Sequence, residues 1–323
     1  MSKPSLAVLM SVYNQRPFIE EAMNSILNQT LSDFEFIIVD DGSSDGSTDE
    51  IAKAAARDSR IRFMPLAQNA GLAAALNAGL GVCEADFVAR MDGDDVSEPD
   101  RLEKQQRYMI AQELDVLGSS YRRMGGYSML RRRGVKSLPT QHEDIVRALP
   151  LANQICHPAV MMRRSAITEA GGYDPRFRLA QDYDLWLRMI GSARFGNLPE
   201  PLLNMRRHVG RSSGPANRAR HTHFSITASV NHFRRQSGQP EFDPACTAED
   251  LAQGMLDLLS LGSEVDHDRK ALVRHAARFI RNCPCDPAIC ARLAQAVLSL
   301  SGLNDRIKLR LYRFLQRSHM RGA

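Results

Sequence analysis

No uninterrupted apolar stretch in this 323-residue chain approaches the ~18 to 20 residues needed to cross a bilayer, so no membrane-spanning helix is expected. The N-terminal run Leu6-Ala7-Val8-Leu9-Met10-Ser11-Val12-Tyr13 is too short for one, and no small-residue cleavage site follows it. It reads as a first β-strand closed by the turn Asn14-Gln15-Arg16-Pro17. The six cysteines (Cys83, Cys156, Cys246, Cys283, Cys285, Cys290) form no disulfide framework by spacing. Buried free thiols in a reducing, cytoplasmic compartment are the expectation. Cys283, Cys285 and Cys290, with His275 one helix earlier, fit no standard zinc spacing. Also missing is a basic stripe interleaved with aromatic or amide readers, which excludes nucleic acid as the expected partner.

What is present is a chain of 43% hydrophobic content, enough for a sizeable core. Its net charge of +5 resides at one end: residues 303–323 hold Arg306, Lys308, Arg310, Arg313, Arg317 and Arg321 against Asp305, and the remainder is formally neutral. Leu303, Ile307, Leu311, Phe314 and Leu315 share one helical face there. Two readings stand side by side: a basic amphipathic helix lying peripherally on an anionic membrane surface such as the inner face of a plasma membrane, or a terminal helix packed on its own domain.

Two acidic clusters follow apolar runs: Val39-Asp40-Asp41-Gly42-Ser43 and Met91-Asp92-Gly93-Asp94-Asp95. Phe34–Val39 has the composition of a buried strand, and Asp86–Met91 is a weaker version. Carboxylates just past two parallel strand ends converge on one ligand, and Asp92-Gly93-Asp94 can hold a hard divalent cation against diphosphate oxygens. Acidic turns capping the next helix are the competing reading. Through about residue 120, apolar runs alternate with helical patterns, which predicts βαβ units and a mostly parallel sheet. Strand and loop are expected from Gly118 to Thr140, where several arginines gather. Helical patterns then fill 218–235, 247–261, 266–282, 287–300 and 304–316, so the expected domains are 1–214 and 215–323.

Ser11-Val12-Tyr13-Asn14, Ile38-Val39-Asp40-Asp41-Gly42-Ser43, Asn69-Ala70-Gly71, Asp92-Gly93-Asp94-Asp95 with Pro99-Asp100-Arg101-Leu102, and Gln181-Asp182-Tyr183-Asp184-Leu185-Trp186 occur in this order. Together they resemble the motifs of family-2 inverting glycosyltransferases of the GT-A fold, over roughly the first 215 residues. The resemblance implies an α/β catalytic domain with a Rossmann-like N-terminal half, followed by a helical C-terminal extension. It implies transfer of a sugar from a nucleotide donor, a UDP-sugar, to a hydroxyl of a glycan or lipid-linked acceptor, assisted by Mn²⁺ or Mg²⁺. Asp41 would contact the uracil, with Ser11 and Tyr13 lining the same pocket. Asp94 would bind metal, Asp92 metal or ribose, and Arg90 the diphosphate. His208 in the segment Met205–Ser212 would complete the metal shell or meet the diphosphate, and His157-Pro158 matches a motif near the acceptor side. Asp182 would be the general base, with Asp184 as alternative and a helix N-cap as the bland reading. Gln181 stands where many family members carry Glu.

Two other functions fit parts of the pattern. Asp92-Gly93-Asp94-Asp95-Val96 also resembles the nucleophile motif of haloacid-dehalogenase-type phosphatases, which usually lies near the chain start. A non-catalytic nucleotide-sugar-binding membrane scaffold would follow if Gln181 marked loss of the base.

Overall fold

In the computed structural model the apolar runs of the N-terminal half become the strands of one sheet. The structure describes residues 4–125, 128–208, 214, 217–260, 266–282, 286–300, 308–309 and 311–312, leaving aside the side chains of 128–133 and 266–270. The chain forms two units: Met1–Ala148 with Asn153–Arg211, and Leu149–Ala152 with Ser212–Ala323.

The first unit runs β1 (Leu6–Val12), α1 (Arg16–Leu27), β2 (Glu35–Asp40), α2 (Ser47–Ala55), β3 (Ile61–Pro65), α3 (Leu72–Val82), β4 (Phe87–Asp92), β5 (Val96–Ser97), α4 (Arg101–Ala111), β6 (Val116–Gly125), β7 (Ser128–Lys136), α5 (His142–Ala148), β8 (Met161–Arg163), α6 (Arg164–Glu169), α7 (Gln181–Met189) and β9 (Phe195–Arg207). The strand order is β3-β2-β1-β4-β8-β6-β9-β5, with β7 hairpinned onto β6. Pairing is parallel from β3 through β4; β8 then enters antiparallel between β4 and β6, and β9 returns parallel to β6. All seven residues of β1 are buried, as a central strand covered on both faces requires. Leu6, Val8, Met10 and Val12 join Ile19, Ala22, Met23 and Ile26 of α1 and Leu102 and Met109 of α4 in one core. On the opposite face Gly79 of α3 lies against Leu9, Ile37 and Val39, where a Cβ would come within 2.3 Å of Leu9 Cδ1. The helix expected from Pro99 begins at Arg101 because the backbone turns first: the Arg101 N–H donates to the Glu98 carbonyl.

The second unit contains α8 (Arg218–Gln236), α9 (Ala248–Ser260), α10 (Asp266–Asn282) and α11 (Pro287–Leu298), packed around Phe233, Leu251, Met255, Phe279, Leu293 and Leu311. Here the structure corrects the sequence on two points. The segment Leu149–Ala152, expected within the first domain, belongs to this unit: the Pro150 carbonyl accepts from Ser229 Oγ at 3.0 Å and pairs with His275 Nε2 at 2.7 Å, and Leu151 packs on the helical core. Cys290, expected as a free thiol, is disulfide-bonded, a pairing that linear spacing alone does not specify. Cys83, Cys156 and Cys246 are free. Of the basic terminal stretch only Lys308, Leu309, Leu311 and Tyr312 fall within the described residues, and Leu311 is buried in the core of this unit. No described helix is long and apolar enough to cross a membrane.

Candidate active site

Register brings the two acidic clusters to the same end of the sheet. Ser11 pairs with Val39 on one side and with Asp92 on the other, and Val12 pairs with Asp40. Strand order reverses between β1 and β4, and at such a switch point ligands bind outside the carboxyl ends of the strands. Ser11 is buried there, whereas the Tyr13 ring is 48% exposed. The loop after β1 is zipped to the loop after β2. Asn14 and Gln15 donate backbone N–H groups to Ser43 Oγ and Ser47 Oγ, both at 2.9 Å, and Arg16 N–H donates to Asp45 Oδ2 at 2.9 Å.

Each carboxylate oxygen of the first cluster accepts from a backbone N–H or a hydroxyl. Asp40 accepts from Ser43 N–H and from Thr48 Oγ1. Asp41 accepts Ala70 N–H at 2.7 Å on one carboxylate oxygen and Gly71 N–H at 2.9 Å on the other, which explains the chemistry of Asn69-Ala70-Gly71. Gly42 at φ +74° brings its Cα against the Gln68–Asn69 backbone, where a Cβ would lie 2.7 Å from the Gln68 carbonyl carbon. Asp41 is thus the clamp of the β3–α3 loop, and any ligand it meets shares it with two N–H donors.

The second cluster is built differently. Asp92, Asp94 and Asp95 offer carboxylate oxygens that all lie within 4.8 Å of one another. Asp95 accepts the Arg206 N–H of β9 at 2.8 Å, and Arg206 Nε donates to the Asp94 carbonyl at 2.9 Å. Asp94 Oδ2 lies 2.7 Å from His208 Nε2, and the His208 ring packs on Phe18 of α1 with centroids 4.7 Å apart. Asp94 and His208, 114 residues apart, are thereby brought together. Gly93 fits because its Cα faces Gln15, Ile19 and Val12, the last two 3.2 Å from where a Cβ would stand. Carboxylate oxygens with one imidazole suit a divalent cation of the Mg²⁺ or Mn²⁺ class.

Arg90 lies buried beside the second cluster. It is 1% exposed, and its guanidinium pairs with Asp92 and so orients that carboxylate. Burial opposes its charge, but the Asp92 pairing outweighs that cost and holds Arg90 above its ordinary pKa. Arg101, also buried, donates to the Arg90 and Val160 carbonyls at 2.7 and 3.2 Å, fixing the end of β4; burial lowers its pKa to about 10.

The other half of the site comes from the segment before β8 and from α7. Ala180 in the left-handed region (φ 59°) turns the chain into α7, an unusual conformation for a residue with a Cβ. Asp182 is partly buried in the first turn of that helix, and Asn153 Nδ2 donates to its Oδ2 at 2.7 Å. Asp184 is 1% exposed and paired to Arg188 at 2.9 Å, while Arg188 also donates to the Ala170 and Gly172 carbonyls. That burial leaves Asp182 as the stronger base candidate. His157 is buried, 2.8 Å from the Tyr173 hydroxyl and edge-on to Trp186. Burial, aided by Arg90, holds the His157 pKa well below the ordinary imidazole value. Burial pushes the Tyr173 phenol up, and that phenol lies in the field of Arg90, Asp182 and Asp92 together. One buried hydroxyl therefore senses both the acidic cluster and the base candidate. Asn77 of α3 grips the Tyr173 backbone, accepting its N–H at 3.0 Å and donating to its carbonyl at 2.7 Å.

Asn153, Tyr173 and Asn77 belong to none of the sequence motifs, and Arg206 lies in the segment Met205–Ser212 with no role of its own assigned there. The clue for Asn153 lay in its spacing: Asn153 and His157 are four apart, like their α7 partners Asp182 and Trp186. The arginine-rich stretch forms β6 and β7; Arg122 there pairs with Glu98 at 2.8 Å, and the side chains of Arg131–Arg133 lie outside the described residues.

The sequence pattern of Glycosyl transferase family 2 matches residues 7–171. The chain is 37% identical over 213 residues to the O-antigen biosynthesis glycosyltransferase WbnJ of Escherichia coli, covering 63% of this chain and 80% of that protein. Among solved structures, S. aureus TarS 1–349 in complex with UDP-GlcNAc superposes with a TM-score of 0.60 at 19% identity, covering 98% of this chain and 92% of that one. The mannosyltransferase PcManGT of Pyrobaculum calidifontis, in complex with GDP-Man and Mn²⁺, superposes at 0.52 and 17% identity, covering 99% and 87%. These likenesses establish the GT-A-like fold, a mixed, mostly parallel sheet followed by C-terminal helices. The phosphatase reading of Asp92–Val96 falls with them. The chain belongs to glycosyl transferase family 2 and is a glycosyltransferase that uses a nucleotide-sugar donor.

Proposed function

We propose that this chain is a metal-dependent, inverting hexosyltransferase that moves a sugar from a UDP-sugar to an acceptor hydroxyl in the assembly of a surface polysaccharide or lipid-linked glycan. The observation that carries the metal dependence is the Asp92–Asp94–Asp95 cluster, whose carboxylate oxygens crowd within 4.8 Å at the switch point of the sheet. Asp94, Asp92 and His208 would hold the cation, while Asp95, fixed by Arg206, braces the turn. A divalent cation there would neutralise charge on the departing diphosphate. Ser11 and the exposed Tyr13 ring lie beside Asp41 at the end of β1, a setting for a nucleoside between hydroxyl and aromatic groups.

Asp182, anchored by Leu185, Trp186 and Met189 in the core, would take the proton of the acceptor hydroxyl as its oxygen attacks the anomeric carbon from the face opposite the leaving group. The glycan acceptor follows from the relationship to WbnJ. The six basic residues of 303–323 support recruitment to the anionic membrane surface where a lipid-linked acceptor would reside. UDP release from UDP-galactose, UDP-glucose and UDP-GlcNAc, followed with and without MnCl₂, tests the reading. Mn²⁺-dependent UDP release from at least one sugar is expected, and Mn²⁺-independent or absent release from all three overturns it.

A further inference from the structure

Two contacts tie the segment 153–157 to the first turns of α7, and they share one spacing. Asn153 reaches Asp182, and four residues later His157 lies edge-on to Trp186, four residues after Asp182, with ring centroids 6.2 Å apart. Between them Ile155 and Cys156 are buried. The orientation of the Asn153 amide is fixed by its second partner. Ile155 N–H can only donate, and it meets Asn153 Oδ1 at 3.0 Å, so the amide NH₂ must face Asp182. The carboxylate is therefore met by a true donor on a side chain that cannot flip without losing both bonds.

We propose that Asn153 is a positioning residue for the reaction: it aims the Asp182 carboxylate and favours its anionic form. This rests on the reading of Asp182 as the base. A hydrogen bond donated to a carboxylate stabilises the charged state and fixes the rotamer, and aligned proton acceptors transfer protons far faster than loosely held ones. Tyr173, in the field of Asp182, has its phenol pushed up by burial; it is already paired with His157, which burial keeps neutral, and beyond them Arg90 is paired with Asp92.

The test uses the full chain with MnCl₂ and whichever of UDP-galactose, UDP-glucose and UDP-GlcNAc is turned over fastest, following UDP release across pH. Asn153→Ala should lower kcat about 10- to 100-fold, the loss of one charge-assisted hydrogen bond, with KM for the donor changed less than twofold. The acid limb of its kcat profile should move to higher pH. Asn153→Asp, with a second carboxylate where the donor stood, should move that limb further in the same direction. Thermal melting of both variants reports folding. Unchanged kcat and an unmoved acid limb in Asn153→Ala overturn the proposal, as does a parallel loss of kcat, donor affinity and melting temperature, which marks a purely structural residue. Asp182→Asn separates the two claims. If Asp182→Asn is inactive while Asn153→Ala is wild type, only the role of Asn153 fails; if Asp182→Asn turns over normally, the base assignment fails and this inference with it.

Discussion

The two acidic clusters look alike in sequence and are opposites in structure. Asp40 and Asp41 spend their oxygens on Ser43, Thr48, Ala70 and Gly71, so the first cluster is a loop clamp whose charge is met by fixed N–H and O–H groups. Asp92, Asp94 and Asp95 bring carboxylate oxygens together, with His208 on Asp94 and Arg90 on Asp92, so the second gathers negative charge on side-chain atoms. Backbone donors shape a pocket, whereas crowded carboxylates call for a mobile cation. The carboxylate proposed as the base, Asp182, belongs to neither cluster and comes from a helix some ninety residues further along the chain.

The largest effect should come from Asp182→Asn, which leaves both clusters intact. Turnover should fall ~10²- to 10⁴-fold with donor binding retained, checked by UDP release and by donor titration. Asp41→Ala attacks the clamp. Two partly exposed N–H groups lose their charged acceptor, so the chain should lose about 1–2 kcal/mol in urea unfolding while Mn²⁺ binding persists. Acid sharpens the contrast by acting outside both clusters. Burial lowers the His275 pKa to about 4 from 6.5, so below pH 6.5 the unfolded chain takes up a proton that the folded chain refuses until near pH 4. Stability present above pH 6.5 should therefore fall across that window by up to about 3 kcal/mol, and His275→Gln should flatten the slope of urea midpoint against pH. His157 contributes in the same direction. The smallest effect is Gly93→Ala in the second cluster. Gln15 can swing aside but Ile19 and Val12 cannot, so a cost of about 1 kcal/mol with a several-fold rise in the Mn²⁺ requirement is expected from a Mn²⁺ titration of UDP release.

The strands and helices of the first hundred residues were legible because a buried parallel sheet writes itself as apolar runs ending in turn residues, as in Phe34–Val39 before Asp40. Asp94 and His208 were legible as motif residues, although only the path of β9 beside β5 and β6 brings them together. The burial of Arg90 was not legible, because a motif position does not say how deeply a strand residue is covered: it shares the face of Asp92 and pairs with it. Asn153 and Tyr173 were hidden because their importance lies in partners reached through the folded chain, Asp182 at 29 residues and Asn77 at 96. The attachment of Leu149–Ala152 to the helical unit was equally hidden, since it depends on a backbone carbonyl, which every residue carries.

The division of labour between the clusters and Asp182 is tested most directly by thermal shift with UDP and MnCl₂ on the wild type, Asp94→Asn and Asp182→Asn. A ligand at one hundred times its Kd stabilises by ~2.7 kcal/mol, a readily measured change in melting temperature. The account predicts that the Mn²⁺-dependent UDP shift survives in full in Asp182→Asn and disappears in Asp94→Asn. A shift retained in Asp94→Asn, or lost in Asp182→Asn, would contradict it.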